Sequence, residues 1–487
     1  MNQEAHSLKR GLKNRHVQLI ALGGAIGTGL FLGSASTIQM AGPAVILSYA
    51  VGGLIAFLIM RQLGEMMAQE PVAGSFSNLA HKYWGDFPGM VSGWNYWMLY
   101  VLVGMSELTA VGVYVRFWFP EVENWQTIIV FFLAINAINL TAVRVFGEME
   151  FWFALIKVVA IVGMILFGGY LLFTAGPDSP SSVSNLWEHG GFFPQGNYGV
   201  FISLAVVMFS FGGLELVGIA AAETDNPQKT IPKAVNQVIY RILIFYVGAL
   251  IVLLSLSPWN QLGQVAKDAP WAEAMASSPF VHIFTLIGVP AAAHVLNIVI
   301  LTAALSVYNS GVYSNSRMLY GLALQGNAPR IFATVNARGV PIAALGLSSA
   351  TTLLCAGLNY IMPSEALGVL MALVVASLVL NWAMISLTHL KFRRKKELDG
   401  TKLLFKSPLF PLSDYLCLAF MALILFILCL IGMGTAVVLM PVWIFVLAVG
   451  YCGKRIHLIG QEMKALKQAN EELRSNLHEL RMEIAQK

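Results

Sequence analysis

Runs of about 20 apolar residues, the length a bilayer core demands of a helix, begin near Val17, Ala44, Val91, Thr127, Phe151, Val200, Ile239, Val281, Pro341, Ala366, Leu412 and Val437. This recurrence decides what the chain can become. Hydrocarbon offers no water to backbone N–H and C=O groups, so only helices and closed barrels cross it, and segments of this length fit helices. Charged residues make up 11% of the 487 positions, against about 25% in an ordinary soluble domain. The sequence predicts an all-α polytopic membrane protein with 12 transmembrane helices.

Lys and Arg set the orientation. One set of alternate loops carries Arg61, Lys82, Arg144, Lys229, Lys233, Arg317, Arg330, Arg338 and a dense group from Lys391 to Lys406, while the opposite set offers Arg116 and Lys267. Both termini are therefore expected in the cytoplasm. Residues 1–16 are polar and basic, and the run after them is too long for a signal-peptide core, so 1–16 is expected as a retained cytoplasmic segment and 17–453 as the membrane domain. Pro71 to Phe76 reads as a polar connection too short to span, and Arg317 to Gly339 as a cytoplasmic extension of the eighth segment followed by a turn.

Residues 454–487 have another pattern. Met463, Asn470, Leu477 and Ile484 recur every seven residues, as do Leu466, Leu473 and Leu480 three residues on. That is an a/d heptad seam with one Asn at an a position, which predicts a short cytoplasmic coiled coil and, through it, a parallel homodimer, the alternative being a helix that lies on the membrane or on the transporter.

Two of the apolar runs are poor helices. The first contains Gly23, Gly24, Gly27, Gly29 and Gly33, and the sixth contains Phe209-Ser210-Phe211-Gly212-Gly213-Leu214-Glu215. Each glycine costs about 1 kcal/mol in a helix interior, and broken backbone inside a membrane is tolerated only where it lines a cavity or is covered by protein. Gly23/Gly27 and Gly29/Gly33 also have the spacing that lets helices pack closely. Two interrupted segments in corresponding halves point to a transporter's binding site.

Other chemistries lack their residues. There is no nucleotide loop, metal motif or Ser/His/Asp arrangement, the four cysteines fall in or beside late apolar runs, and the net charge of +5 follows from the loop asymmetry without nucleic acid. No enzyme activity and no cofactor are expected.

The chain resembles the amino acid permeases of the amino acid, polyamine and organocation superfamily, most closely the bacterial aromatic amino acid permeases. The resemblance rests on Arg10 to His16, Leu22 to Leu32, Arg61 to Met66, Ser92-Gly93-Trp94-Asn95-Tyr96-Trp97, Glu150-Phe151-Trp152-Phe153-Ala154-Leu155-Ile156-Lys157, Phe209 to Glu223 and Val307 to Arg317. It implies a bacterial inner-membrane transporter of the leucine-transporter type over 17–453. That fold has a 5+5 inverted repeat with helices 1 and 6 broken at mid-membrane, and two further helices. The tail has no counterpart in it.

A half-helix N-terminus offers free N–H groups and a half-helix C-terminus free carbonyls. An amino acid's carboxylate is therefore assigned to the amides around Thr28 and Gly29, beside Gly27, and its ammonium to carbonyls of Ala25, Phe209, Ser210 and Gly212. Met105, Phe209 and Phe211 are candidates for side-chain selectivity. Lys157 sits seven residues into an apolar segment, where a lysine is a functional hypothesis by default unless it snorkels to the interface. The resemblance implies that it reaches the unwound backbone of segment one, the place where sodium-coupled relatives hold a cation, which makes it the expected site of the coupling proton. Glu107 is expected to face segment one or eight, and both it and Glu215, one turn past the second break, to gate the site or take part in coupling, with Glu215 also counted among the substrate-binding residues or bridging to another helix. The expected function is import of aromatic amino acids, Phe, Tyr and Trp, by proton symport. A permease for other neutral amino acids, an exchanger and an amino acid sensor are the alternatives.

Overall fold

The computed structural model describes residues 26–71, 75–140, 143–176, 179–216, 226–262, 278–281 and 290–485. Among them the regular structure is helical and contains no strand. In chain order the helices are α1 Thr28–Phe31, α2 Gly33–Ala41, α3 Val45–Gln69, α4 Ser75–Trp84, α5 Asp86–Arg116, α6 Asn124–Asn139, α7 Val143–Thr174 and α8 Gly196–Phe209. There follow α9 Pro227–Leu256, α10 Pro290–Leu324, α11 Ile342–Ile361, α12 Ala366–Leu398, α13 Leu412–Leu430 and α14 Gly434–Ala485.

Nine stretches among the described residues are long and apolar enough to cross a membrane, and α6 and α8 are shorter apolar helices. One of the nine, Gly33–Gln69, has 37 residues, or about 55 Å of helix, against a hydrocarbon core of about 30 Å. It cannot cross straight, and Gly42, with φ at 59°, followed by Pro43 turns the corner between α2 and α3. A Cβ at Gly42 would lie 2.3 Å from the Pro194 ring, so the corner is closed against the approach to α8. From Ala44 onward each expected apolar run carries a helix, but the first run up to Ala25 lies outside the described residues. Of the polar connection read at Pro71 to Phe76, residues 72–74 lie outside the described set and the short α4 begins at Ser75, while α10 continues to Leu324 before it turns, in keeping with the sequence reading.

The buried core is apolar side chains contributed chiefly by α3, α5, α9, α10 and α12. By contrast, α7 turns Trp152, Val159, Leu166, Tyr170 and Phe173 outward, the surface expected against lipid tails. Pro441–Lys487 forms a compact unit by itself. Its helix runs through Gly453 without interruption, since one glycine costs only about 1 kcal/mol. Met463, Leu466, Leu473, Leu477 and Ile484 along it are exposed.

At the end of α3, Glu70 accepts from Lys82 Nζ at 2.8 Å, Tyr83 Oη at 2.6 Å and Lys396 Nζ at 2.7 Å. Burial pushes this carboxyl upward, but Lys396, Lys82 and Tyr83 together bring it down to about 2. A depressed acid stabilises the fold above its ordinary value, and the contribution disappears as pH falls toward the folded value. Lys82 is half exposed, so solvent screening limits the contribution to about 1 kcal/mol. The expected outcome is that Glu70→Gln lowers the Tm in detergent at neutral pH and that the difference from the parent shrinks as pH is lowered from about 5 to about 2.

Candidate functional site

The first described residues give one half of the site. Gly27 is extended, with φ −131° and ψ −155°, and α1 begins at Thr28, so the amides of Thr28, Gly29 and Leu30 have no helical acceptor behind them. Leu32 separates α1 from α2 with helical φ and ψ, and hydrogen bonds continue across it, from the Leu32 amide to the Thr28 carbonyl at 2.7 Å and from the Ala35 amide to the Leu32 carbonyl at 3.0 Å. Thr28, Gly29, Leu30 and Phe31 are all buried.

The other half is the end of α8. After Phe209 the amides of Ser210, Phe211 and Gly212 turn back to the carbonyls of Val207, Met208 and Phe209 at 3.0, 3.1 and 3.4 Å, a tightening that ends the helix. Gly213 then takes φ of 97°, a conformation costly for a residue with a side chain. The two halves touch directly, because a Cβ on Gly29 would stand 2.6 Å from Ser210 Cα and 2.9 Å from Ser210 N. Glycine is required there by the approach of one backbone to another.

Aromatic hydroxyls brace the second break. Tyr246 Oη donates to the Ser210 carbonyl at 2.9 Å, and Tyr49 Oη lies 3.1 Å from Ser210 Oγ. Tyr246 belongs to a π-helical stretch, Ile242–Gly248, inside α9, and such bulges recur at functional sites. The Phe211 ring packs on Tyr246 at 5.0 Å and Tyr49 at 6.1 Å, which places it in this brace. Phe209 instead lines a small apolar cavity with Ala205, Met371, Val375 and Met433. Met105 is buried on α5 two residues before Glu107.

Glu107 sits at the start of α1. Its Oε1 accepts from the Thr28 amide at 3.4 Å, and a Cβ on Gly27 would meet that oxygen at 2.6 Å and Val307 Cγ2 of α10 at 2.9 Å. Of the two segments the sequence offered, Glu107 meets the first, and Val307 of α10 closes on the same glycine. Its other oxygen, the Thr28 hydroxyl and Glu215 Oε1 are buried with no hydrogen-bond partner among the described residues. Glu215 Oε2 accepts from Trp382 Nε1 at 3.4 Å. Buried polar atoms of this kind call for a ligand, a proton or water.

Lys157 is fully buried, so it does not snorkel, and its Nζ donates to Ser306 Oγ of α10 at 2.9 Å. Of the unwound backbone of the first segment that the resemblance implied for Lys157, residues up to Ala25 lie outside the described set.

A second polar cluster had no sequence signal beyond its single charges. Glu65 of α3 takes both oxygens to Arg393 NH1 at 2.8 and 2.7 Å, His389 of α12 lies 3.4 Å from Glu65, and its other nitrogen is 2.6 Å from Asp414 of α13. Glu65, His389 and Asp414 are fully buried, so the knot ties three helices together. Lys and Arg at 391–406 read in sequence only as an orientation signal.

A family model described as amino acid permease matches residues 16–458. The aromatic amino acid transport protein AroP of Escherichia coli (strain K12) is 61% identical over 453 residues, 93% of this chain and 97% of that protein. AroP of Shigella flexneri gives the same identity and coverage. The uncharacterized amino acid permease YtnA of Bacillus subtilis (strain 168) is 44% identical over 462 residues, 94% of this chain and 97% of its own length.

Proposed function

The chain belongs to the amino acid permease family, and from that premise we propose that it imports aromatic amino acids, Phe, Tyr and Trp, by proton symport with alternating access. The substrate class is supported by the relatives named for aromatic amino acid transport. On this reading the chain crosses the bacterial inner membrane 12 times with both termini in the cytoplasm, and its first and sixth membrane segments, which carry α1 and α8, are the broken members of a 5+5 inverted repeat.

The observation that carries the proposal is the seating of the start of α1 against the end of α8, with Gly29 on Ser210. A helix start is partly positive and a helix end partly negative. Side by side, in a place without bulk water, they complement a zwitterion: the carboxylate takes the Thr28 and Gly29 amides, and the ammonium takes carbonyls of Ala25, Phe209, Ser210 and Gly212. Tyr246 uses one lone pair of the Ser210 carbonyl, and a carbonyl has a second. Glu107 holds the Thr28 amide until the substrate carboxylate replaces it, and Lys157 carries the coupling proton.

Uptake of labelled Phe, Tyr and Trp into proteoliposomes, with proton and sodium gradients imposed separately, tests this reading. Accumulation under the proton gradient alone is expected. Accumulation that needs sodium, or exchange without net uptake, would replace it with a sodium symporter or an exchanger.

The exposed heptad residues of α14 support a parallel homodimer through the tail, since an isolated helix with an apolar seam buries it by pairing. Removal of 454–487 is expected to halve the protein mass by light scattering in detergent. An unchanged mass would remove the tail from assembly.

A further inference from the structure

Away from the two helix breaks, three buried side chains form a single file of hydrogen bonds. Glu150 and Lys157 are both on α7, seven residues apart and so on one face, about 10 Å apart along the axis. Ser306 of α10 stands between them. Lys157 Nζ donates to Ser306 Oγ at 2.9 Å, and Ser306 Oγ donates to Glu150 Oε1 at 2.5 Å. All three side chains have no exposed surface. The second Glu150 oxygen accepts from Asn309 Nδ2 at 3.4 Å, and Asn309 Oδ1 accepts from Asn139 Nδ2 of α6 at 2.7 Å, so the carboxylate is held at both ends.

Counting donors fixes the direction of the file. An ammonium has donors and no lone pair, so Ser306 must accept from Lys157, and the one hydrogen of the hydroxyl then goes to Glu150. With the amine and the carboxylic acid instead, Glu150 donates to Ser306 and Ser306 donates to the amine lone pair. Both arrangements give each link of the file one donor and one acceptor and carry the same net charge. Neither leaves a lone buried ion, which would be the expensive case.

We propose that Glu150 is a proton-relay residue, the acceptor to which Lys157 passes its proton through Ser306. The inference rests on the proposed role of Lys157 in symport and supplies the acceptor that role lacks. In the step, an N–H bond of Lys157 breaks as its proton joins Ser306 Oγ, and the O–H bond of Ser306 breaks as its proton joins Glu150 Oε1. Ammonium and carboxylate become amine and carboxylic acid, with no atom or charge gained or lost. The direction of travel is toward the start of α7, the end expected to face the cytoplasm.

The test uses the full-length protein in proteoliposomes, with a pH dye trapped inside and three readouts: Phe accumulation under a proton gradient, lumenal acidification on adding Phe, and exchange of labelled for unlabelled Phe at equal pH. Glu150→Gln and Ser306→Ala are expected to lower accumulation and acidification at least tenfold while exchange stays within about threefold of the parent, because exchange requires no proton to leave the carrier. Ser306→Thr, which keeps a hydroxyl, is expected to retain all three, and the Ser306 pair decides the matter if Glu150→Gln fails to fold. Parental accumulation and acidification in Glu150→Gln would overturn the relay, and so would a Glu150→Gln protein that folds but loses exchange as well. A parent protein that accumulates Phe without regard to the proton gradient would instead overturn the symport reading on which the relay rests.

Discussion

Replacing Lys157 by alanine is expected to reduce the steady-state accumulation of phenylalanine in proteoliposomes about 100-fold under a gradient of about two pH units at zero membrane potential. The size follows from the gradient: one pH unit is about 1.4 kcal/mol, a factor of ten in concentration, and a carrier with one coupled proton per substrate loses that factor for each unit when the proton site is gone. Lys157 is fully buried with Ser306 Oγ at 2.9 Å, so alanine also deprives the polar file of its cation. Lys157→Arg separates charge from proton transfer. A guanidinium stays charged under all working conditions, so this variant is expected to lose accumulation as alanine does. Full gradient-driven accumulation in either variant would contradict the assignment.

Gly29→Ala is expected to lower transport by about 5- to 150-fold. Its new methyl would stand 2.6 Å from Ser210 Cα and 2.9 Å from Ser210 N, and these are backbone atoms that no rotamer change moves aside. Overpacking of this kind costs about 1–3 kcal/mol, which corresponds to that loss when the strained state is the one that binds. Gly163 on α7 is the control, because a Cβ there meets nothing within 4 Å. Gly163→Ala is expected to transport as the parent does. Initial uptake rates normalised to protein in the vesicles check both, and a parental rate for Gly29→Ala would mean that α1 and α8 do not meet as described.

Much of this was legible in sequence for a plain physical reason. A helix that spans hydrocarbon must be apolar for about 20 residues, so helices announce themselves, and glycines in such a run announce their interruption, as at Gly27 and Gly29 in the first run and Gly212 and Gly213 in the sixth. A lone lysine or glutamate in an apolar run is equally visible, which is why Lys157, Glu107 and Glu215 stood out. Partners were not visible. Ser306 meets Lys157 across 149 positions and Tyr246 meets Ser210 across 36, and neither a serine nor a tyrosine inside a membrane segment has a pattern that marks its neighbour. The direction of Phe211 was hidden for the same reason, since its packing on Tyr49 and Tyr246 depends on how α3 and α9 meet α8. Glu150 was read only as part of a motif, because its pairing depends on the register of α7 against α10.

The most direct test of the main-chain site is a structure of the protein with phenylalanine bound. The account predicts a substrate carboxylate at about 2.7–3.2 Å from the Thr28 and Gly29 amides, in the place now held by Glu107 Oε1, with the ammonium on carbonyls between Phe209 and Gly212. Phenylalanine bound elsewhere, or a helix running unbroken through Phe209 to Glu215, would contradict it.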